Sequence, residues 1–190
     1  MNVLFKQGHN LIHLPTLKIK PVEISPINFK NFDAVIFTSS NAVRNLKIKS
    51  KQESIKCFCV GSITEKIARN SGFTNTISAA GNVIALKNII SNSKDLGRNA
   101  KLVYICGDNI SFDLEADLSK EGFKVTKIIN YSSEKIEFVS DHTLDLIKKY
   151  PINVTFVYSI RSAEALINII NNYSFCLLYT SDAADDKQCV

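Results

Sequence analysis

Phe32–Val43 reads FDAVIFTSSNAV. A short apolar run, Ala34 to Phe37, breaks into three hydroxyl side chains, Thr38, Ser39 and Ser40, before Ala42, Val43 and Leu46 resume at helical spacing. An apolar run without polar alternation suits a strand covered on both faces, and such strands belong to parallel sheets whose crossovers lay helices on each side. The same unit recurs outward along the chain. Cys57 to Val60 predicts a second strand, stopped by Gly61. Ser62-Ile63-Thr64-Glu65 then predicts a capping box, with the Ser hydroxyl and Glu carboxylate answering free amides at a helix start. Ile63, Ile67 and Ala68 are the expected buried stripe of that helix, and Gly72 its stop.

Further on, Thr76 to Ser78 predicts a strand, and Asn82 to Ser91 a helix with Val83, Leu86 and Ile90 inward. Lys101 to Cys106 is a third apolar run. Gly107 and Asp108 turn it into a helix carrying Leu114 and Leu118, which ends at Gly122 before a last strand, Val125 to Ile129. The set is α/β, and residues 22–131 are expected to form one complete flavodoxin-like parallel-sheet domain, because each strand has a helix to make its crossover.

The flanks predict less. Ser71-Gly72-Phe73 and Glu121-Gly122-Phe123 each join a helix to the next strand, and Gln7-Gly8-His9 has the same form. Met1 to Gln7 therefore reads as the tail of a helix. At the other end Val154 to Tyr158 predicts a strand, and Ser159-Ile160-Arg161-Ser162 a turn into a helix with Ala163, Leu166, Ile167 and Ile170 inward. Residues 1–20 and 134–178 are thus expected to form a second, incomplete α/β domain, joined to the first by two linker strands. Tyr179 to Val190 shifts composition abruptly and reads as a disordered tail.

Composition excludes several classes. Apolar residues are 45% of the chain and charged ones 22%, so a packed core rather than a disordered chain is expected. No apolar run approaches the ~20 residues that cross a bilayer, and Met1 to Asn10 has no secretory pattern, so a cytoplasmic protein is expected. The five cysteines are Cys57, Cys59, Cys106, Cys176 and Cys189. Their odd number and apolar settings suit reduced thiols, and Cys57-x-Cys59 lacks the second pair or histidine of a zinc site, so core packing on one strand face is expected. His9 and His13 fall in a segment that reads as a strand without a metalloprotease glutamate, and His142 in an exposed first helical turn. The formal charge of +5 is mild. No aromatics interleave with Lys18, Lys20, Lys30, Arg44, Lys47, Lys49 and Lys51, so no nucleic-acid groove is expected, although the field would draw a multiply charged small anion.

In parallel α/β sheets, ligands collect beyond the carboxyl ends of the strands, where helix starts aim free N–H groups. The strand ends here carry Thr38, Ser39 and Ser40, then Gly61 with Ser62 and Thr64, then Gly107 with Asp108 and Asn109, then Ser159 with Ser162. Each alone is most often an N-cap; several on one rim favour a carboxylate or phosphate site more than any one does. No G-x-G-x-x-G, Walker motif, G-x-S-x-G elbow or metal-ligand cluster occurs, which argues against nucleotide and metal enzymes and predicts no cofactor and no metal. Tyr131 is the one acid-capable side chain at a strand end leading out of the complete domain. A boundary aromatic with a packed ring and a wet hydroxyl would look the same.

These residues resemble the uroporphyrinogen-III synthase family. FDAVIFTSSNAV is similar to its F-T-S-x-x-A-V segment, and Val60–Gly72, VGSITEKIARNSG, to its V-G-x-x-T-A-x-x-L-x-x-x-G segment. Leu11–Pro21, LIHLPTLKIKP, is similar to its L-P-x-x-x-I-x-P approach to the domain linker. Ile105-Cys106-Gly107 with Leu114, Leu118 and Gly122 is similar to its strand-Gly-helix-Gly unit. Ile129-Asn130-Tyr131 resembles the segment ending in its functional tyrosine, and Tyr158-Ser159 with Ser162-Ala163 its F-x-S-P-S segment. Departures are Ile105-Cys106 for a commoner Arg-containing pair, Glu65 where Ala is usual, and Ile160 in place of Pro. The family's T-R-P segment and second V-G-x-x-T-A unit are not found.

The resemblance implies two domains facing a cleft, and a cofactor-free lyase that cyclises the linear tetrapyrrole hydroxymethylbilane with inversion of its last ring. It implies Tyr131 as the catalytic residue and Thr38, Ser39, Ser40, Gly61, Thr64, Gly107 and Ser159 as substrate-binding positions. A monomer that binds neither nucleic acid nor membrane is expected. With half the cleft wall missing from the 190-residue sequence, the piece alone is expected to be inactive. The competing reading is a non-catalytic flavodoxin-like module that binds a small anion or a protein partner.

Overall fold

The structure, a computed structural model, describes residues 6–48, 50–150, 152–157 and 159–173. Ile19–Ser133 is one compact unit; Met1–Lys18 and Glu134–Val190 belong to a second. The strands are β1 (Leu17–Pro21), β2 (Ala34–Phe37), β3 (Gln52–Val60), β4 (Phe73–Ala79), β5 (Lys101–Gly107) and β6 (Lys124–Lys135), in the order β1-β6-β5-β2-β3-β4. Helices α1 (Ser40–Arg44), α2 (Ser62–Asn70), α3 (Val83–Ser91) and α4 (Leu114–Lys120) make the crossovers of the first unit. Helices α5 (Asp141–Lys149) and α6 (Ile160–Tyr173) belong to the second.

From β2 to β6 the sheet is parallel: β2 pairs with β3 and with β5, β3 with β4, and β5 with β6. The α/β, mostly parallel class read from the apolar runs is therefore what the chain adopts. β1 runs antiparallel to β6, since Val22 N–H bonds Asn130 O at 3.0 Å and Ile136 N–H bonds Thr16 O at 2.9 Å.

Alternation along each strand divides the core into two layers. One holds Val35, Phe37, Cys57, Cys59, Val103 and Ile105 under α1 and α2 residues Ala42, Val43 and Ala68, together with Phe73 and Tyr131. The other holds Ala34, Ile36, Phe58, Leu102 and Tyr104 under Leu86, Ile90, Leu114 and Leu118. Phe73 sits edge-on to both Phe29 and Phe37, with ring centroids 5.4 Å apart in each pair. That is the favoured geometry for aromatic pairs, each contributing about 0.5–1.5 kcal/mol beyond area burial. Cys57 and Cys59 share one face as expected, with Sγ atoms 3.7 Å apart, and their mutual hydrogen bond and burial push the Cys57 thiol up.

Several local expectations are corrected. The capping box does not form: Gly61, at φ 78°, is the cap of α2 and Ser62 its first residue. Glu65 turns away from the helix start and accepts from Arg69 Nη2 at 2.9 Å and Thr76 Oγ1 at 2.8 Å. Ile63 is 71% exposed; the buried residues of α2 are Thr64 and Ala68, with Ile67 partly covered. Residues 9–16, with His9 and His13, form no strand; β1 begins only at Leu17. Val154–Val157 is also no strand: it finds no ladder partner among the described residues, and Val154 and Phe156 are exposed. In α6 the buried residues are Ala165 and Ile169, one position away from the expected Leu166 and Ile170, and Ile167 is exposed. Met1 to Phe5 and Ser174 to Val190 lie outside the described residues.

The Glu65 network has a pH signature. Hydrogen bonds from Ser78, Arg69 and Thr76 lower the carboxyl from 4.5 to about 2. A depressed carboxylate contributes stability that is complete above the unfolded value of 4.5 and lost as pH falls through about 2. Glu65→Gln is expected to lower stability by about 1 kcal/mol at neutral pH, the net worth of a hydrogen-bonded charge near the surface. In urea denaturation the gap between Glu65→Gln and wild type should close between pH 4.5 and pH 2. A gap independent of pH would assign the loss to packing instead.

Candidate active site

The carboxyl ends of β2, β3 and β5 and the helix starts that follow them carry the six substrate-binding positions read for the first unit, and two of these, Ser39 and Gly107, lie against Tyr131 of β6. β2 ends at Phe37 because Thr38 and Ser39 leave the apolar run. The Thr38 hydroxyl is 3.1 Å from Tyr104 Oη, a hydrogen bond that ties the start of the loop to the neighbouring strand β5. Ser39, extended at φ −146°, is the N-cap of α1, and its Oγ accepts from Asn41 N–H at 3.2 Å. Ser40 opens the helix and is half-buried.

Next along the rim, Gly61 takes a left-handed φ that other residues rarely adopt, and its N–H bonds Ala79 O at 3.0 Å. The turn this allows places Thr64 inside the first turn of α2, where it is buried.

β5 ends at Gly107, and here the packing is tight. A Cβ at this position would lie 2.6 Å from Tyr131 Cε2 and Cζ and 2.9 Å from its hydroxyl. Glycine is required because the tyrosine ring lies directly against the backbone. The backbone of Tyr131 is tied to the end of β5, since Asp108 N–H bonds Tyr131 O at 3.0 Å and Ser133 N–H bonds Asp108 Oδ1 at 3.2 Å.

Tyr131 reaches this place through an irregularity in β6. Ile105 pairs with Ile128 and Cys106 with Ile129, but Gly107 pairs with Tyr131, so Asn130 is an extra residue on β6. A bulge of this kind re-aims the side chain that follows it. Without it, alternation would send Tyr131 to the face opposite Ile128; with it, Tyr131 joins the layer of Ala42, Val43 and Ile105 beneath α1.

Tyr131 is 9% exposed. Burial raises its hydroxyl above 10, hydrogen bonding from Ser39 opposes the rise, and the proximity of Cys106 and Asp108 adds to it. The phenol is therefore a neutral donor throughout the physiological range, in reach of Ser39 and poised over Gly107. Burial likewise pushes the Cys106 thiol up to about 11, which leaves it a core group rather than a nucleophile.

Ser159 lies in the second unit. There its Oγ accepts from Ser162 N–H at 3.1 Å and donates to Ser162 Oγ at 2.8 Å, as the cap of α6. Among the described residues no group of His, Cys, Asp and Glu could hold a metal ion, and no helix is long and apolar enough to cross a membrane.

Two contributors escaped the sequence reading. Tyr104 sits within an apolar run and shows no sign of the hydroxyl bond it makes to Thr38. Asn130 was named only as part of the Ile129-Asn130-Tyr131 segment, just past the strand expected to end at Ile129, whereas β6 runs on through it to Lys135.

Comparison with known proteins gives the site its setting. No curated protein matches the chain in sequence. Among solved structures it is similar to the uroporphyrinogen-III synthetase of Helicobacter pylori, at 17% identity and a TM-score of 0.56 over 82% of this chain and 70% of that one. It also aligns with a mutant uroporphyrinogen III synthase of the extremely thermophilic bacterium Thermus thermophilus, at 13% identity and a TM-score of 0.47 over 72% of this chain and 58% of the other. A family model described as Uroporphyrinogen-III synthase HemD matches residues 2–189. The chain therefore belongs to the uroporphyrinogen-III synthase family, whose members cyclise hydroxymethylbilane in haem biosynthesis.

Proposed function

We propose that this protein is a cyclising hydro-lyase that closes hydroxymethylbilane with inversion of ring D, that Tyr131 is its catalytic residue, and that it works without a cofactor. The observation that carries the reading is the placement of Tyr131 over Gly107, with a neutral hydroxyl beside Ser39.

The chemistry follows from those groups. The bond between the terminal methylene carbon and its hydroxyl breaks as Tyr131 donates a proton or hydrogen bond to the departing oxygen, which leaves as water. The pyrrole nitrogen supplies the electron pair, leaving an azafulvenium cation. Inversion requires a second bond to move. The cation first bonds to the α-carbon of ring D that already carries the bridge to ring C. That bridge bond then breaks to leave a second azafulvenium cation on ring C, and the free α-carbon of ring D closes on it with loss of a proton. Thr38, Ser39, Ser40 and Thr64, the turns at Gly61 and Gly107, and Ser159 from the second unit are the groups proposed to hold acetate and propionate side chains in the folded-back shape. Positioning contributes most, because a well-oriented intramolecular reaction gains about 7–11 kcal/mol, more than a single proton donor supplies.

The protein is proposed to be a cytoplasmic monomer that binds neither nucleic acid nor membrane. The test is to incubate the full-length protein carrying this sequence with hydroxymethylbilane and separate the macrocycle isomers. The proposal predicts the inverted isomer as the main product. Formation of the non-inverted macrocycle alone, at the uncatalysed rate, would favour the non-catalytic binding module instead.

A further inference from the structure

α1 has only five residues, and its hydrogen bonding stops early. In a continuing helix the Leu46 N–H would reach the Ala42 carbonyl; here it bonds Val43 O at 3.1 Å, and Asn45 N–H bonds Asn41 O at 3.1 Å. The Ala42 carbonyl, at the buried face of the helix, is left to another donor. Asn130 supplies it: its Nδ2 lies 2.7 Å from Ala42 O, across 88 residues of sequence. The orientation of the amide is unambiguous, because a carbonyl only accepts and the group facing it must be the NH2.

Asn130 is 0% exposed, and its Oδ1 has no hydrogen-bond partner. An amide buried with half its capacity unmet is a poor choice for filling space, since an apolar side chain would avoid desolvating the oxygen. Its merit lies in what the NH2 holds. Asn130 is also the extra residue of the β6 bulge, one position before Tyr131. The bulge sets which face Tyr131 takes, and the amide clamps that same turn of strand to the helix whose cap is Ser39.

We infer that Asn130 is a positioning residue for the cyclisation. Through the Ala42 carbonyl it fixes α1, and so Ser39, at a set distance from the Tyr131 hydroxyl. The inference rests on the proposed function for its kinetic consequence, whereas the clamp itself is a property of the fold and can be tested without substrate.

Two variants separate the possibilities. Asn130→Leu keeps the size and removes the donor. Asn130→Asp offers a donor only while its carboxyl is protonated, so the clamp becomes dependent on pH. Amide hydrogen exchange in the full-length protein should show protection of Ala42, Asn45 and Leu46 falling about fivefold or more in Asn130→Leu, the worth of one hydrogen bond, with β3 and β4 unchanged. In Asn130→Asp, protection should rise toward wild type as the pH is lowered and the carboxyl protonates, and fall to or below that of Asn130→Leu once it is ionised. Turnover should follow, with kcat down about tenfold to 100-fold in Asn130→Leu and KM changed far less, as expected for displaced reacting groups.

Unchanged protection of α1 in Asn130→Leu would overturn the inference. So would a uniform loss through the whole unit with kcat falling only as the folded fraction falls. If Asn130→Leu does not fold, the two pH arms of Asn130→Asp decide the matter. A wild-type protein that yields only the non-inverted macrocycle at the uncatalysed rate would sink the proposed function and leave the exchange result to judge the clamp.

Discussion

Alanine at position 107 is expected to lower kcat about 100-fold in the full-length protein while reducing stability by only about 1–3 kcal/mol. The added Cβ would stand 2.6 Å from two ring carbons of Tyr131, about 1 Å inside ordinary contact. The atoms it meets are at the far end of a side chain. The ring can therefore swing away instead of unfolding the strand, which keeps the stability loss in the overpacking range. The same swing removes the hydroxyl from Ser39, and a displacement of about 1 Å at reacting groups costs about two orders of magnitude. The effect is specific to the tyrosine hydroxyl. In the double variant Gly107→Ala/Tyr131→Phe, kcat should match that of Tyr131→Phe alone, because the two substitutions disable one device. Steady-state kinetics with circular dichroism as a folding control checks this; full kcat in Gly107→Ala would show that the ring position does not matter.

The reach of sequence reading can be judged from particular residues. β2 and β5 were legible because they are uninterrupted apolar runs, and only a strand covered on both faces needs one. Asn82 was legible as the start of α3, where its Oδ1 accepts from Ala85 N–H at 2.9 Å. The start of α2 was not. The Ser62-x-x-Glu65 spacing is a local signal, and the partners that overrode it, Thr76 and Ser78 on β4, come from a strand placed by the tertiary fold. The extent of β3 was hidden for a related reason. Gln52 to Lys56 is polar in sequence, yet it joins the sheet because β4 offers it a ladder, with a shift of register between Gln52 and Lys56. Val154–Val157 shows the converse: an apolar run becomes a strand only where a partner exists.

The candidate site divides in the same way. Thr38, Ser39, Gly61, Thr64 and Gly107 were readable because hydroxyls and glycines beyond strand ends are local features. That Gly107 supports the ring of Tyr131 was not readable, since it depends on the pairing of β5 with β6 and on the bulge at Asn130. Tyr131 could be named but not aimed. A one-residue shift in strand register turns every following side chain to the other face, and nothing local announces a bulge.

Tyr131→Phe carries the largest expected effect on turnover. The phenylalanine ring keeps the packing against Gly107 and the layer beneath α1, so the fold should change little. What disappears is one hydroxyl, and a positioned proton donor contributes about 10² to 10⁴ in rate. Because the wild-type hydroxyl titrates above 10, the ratio between the two proteins should stay constant across neutral pH and shrink only where the tyrosine itself ionises. The most direct measurement is the single-turnover rate of formation of the inverted macrocycle from hydroxymethylbilane by full-length wild type and Tyr131→Phe at neutral pH, with enzyme in excess. A rate at least about 100-fold lower in Tyr131→Phe, with substrate still bound, is the predicted result. Equal rates in the two proteins would contradict the assignment of Tyr131 to the departing hydroxyl.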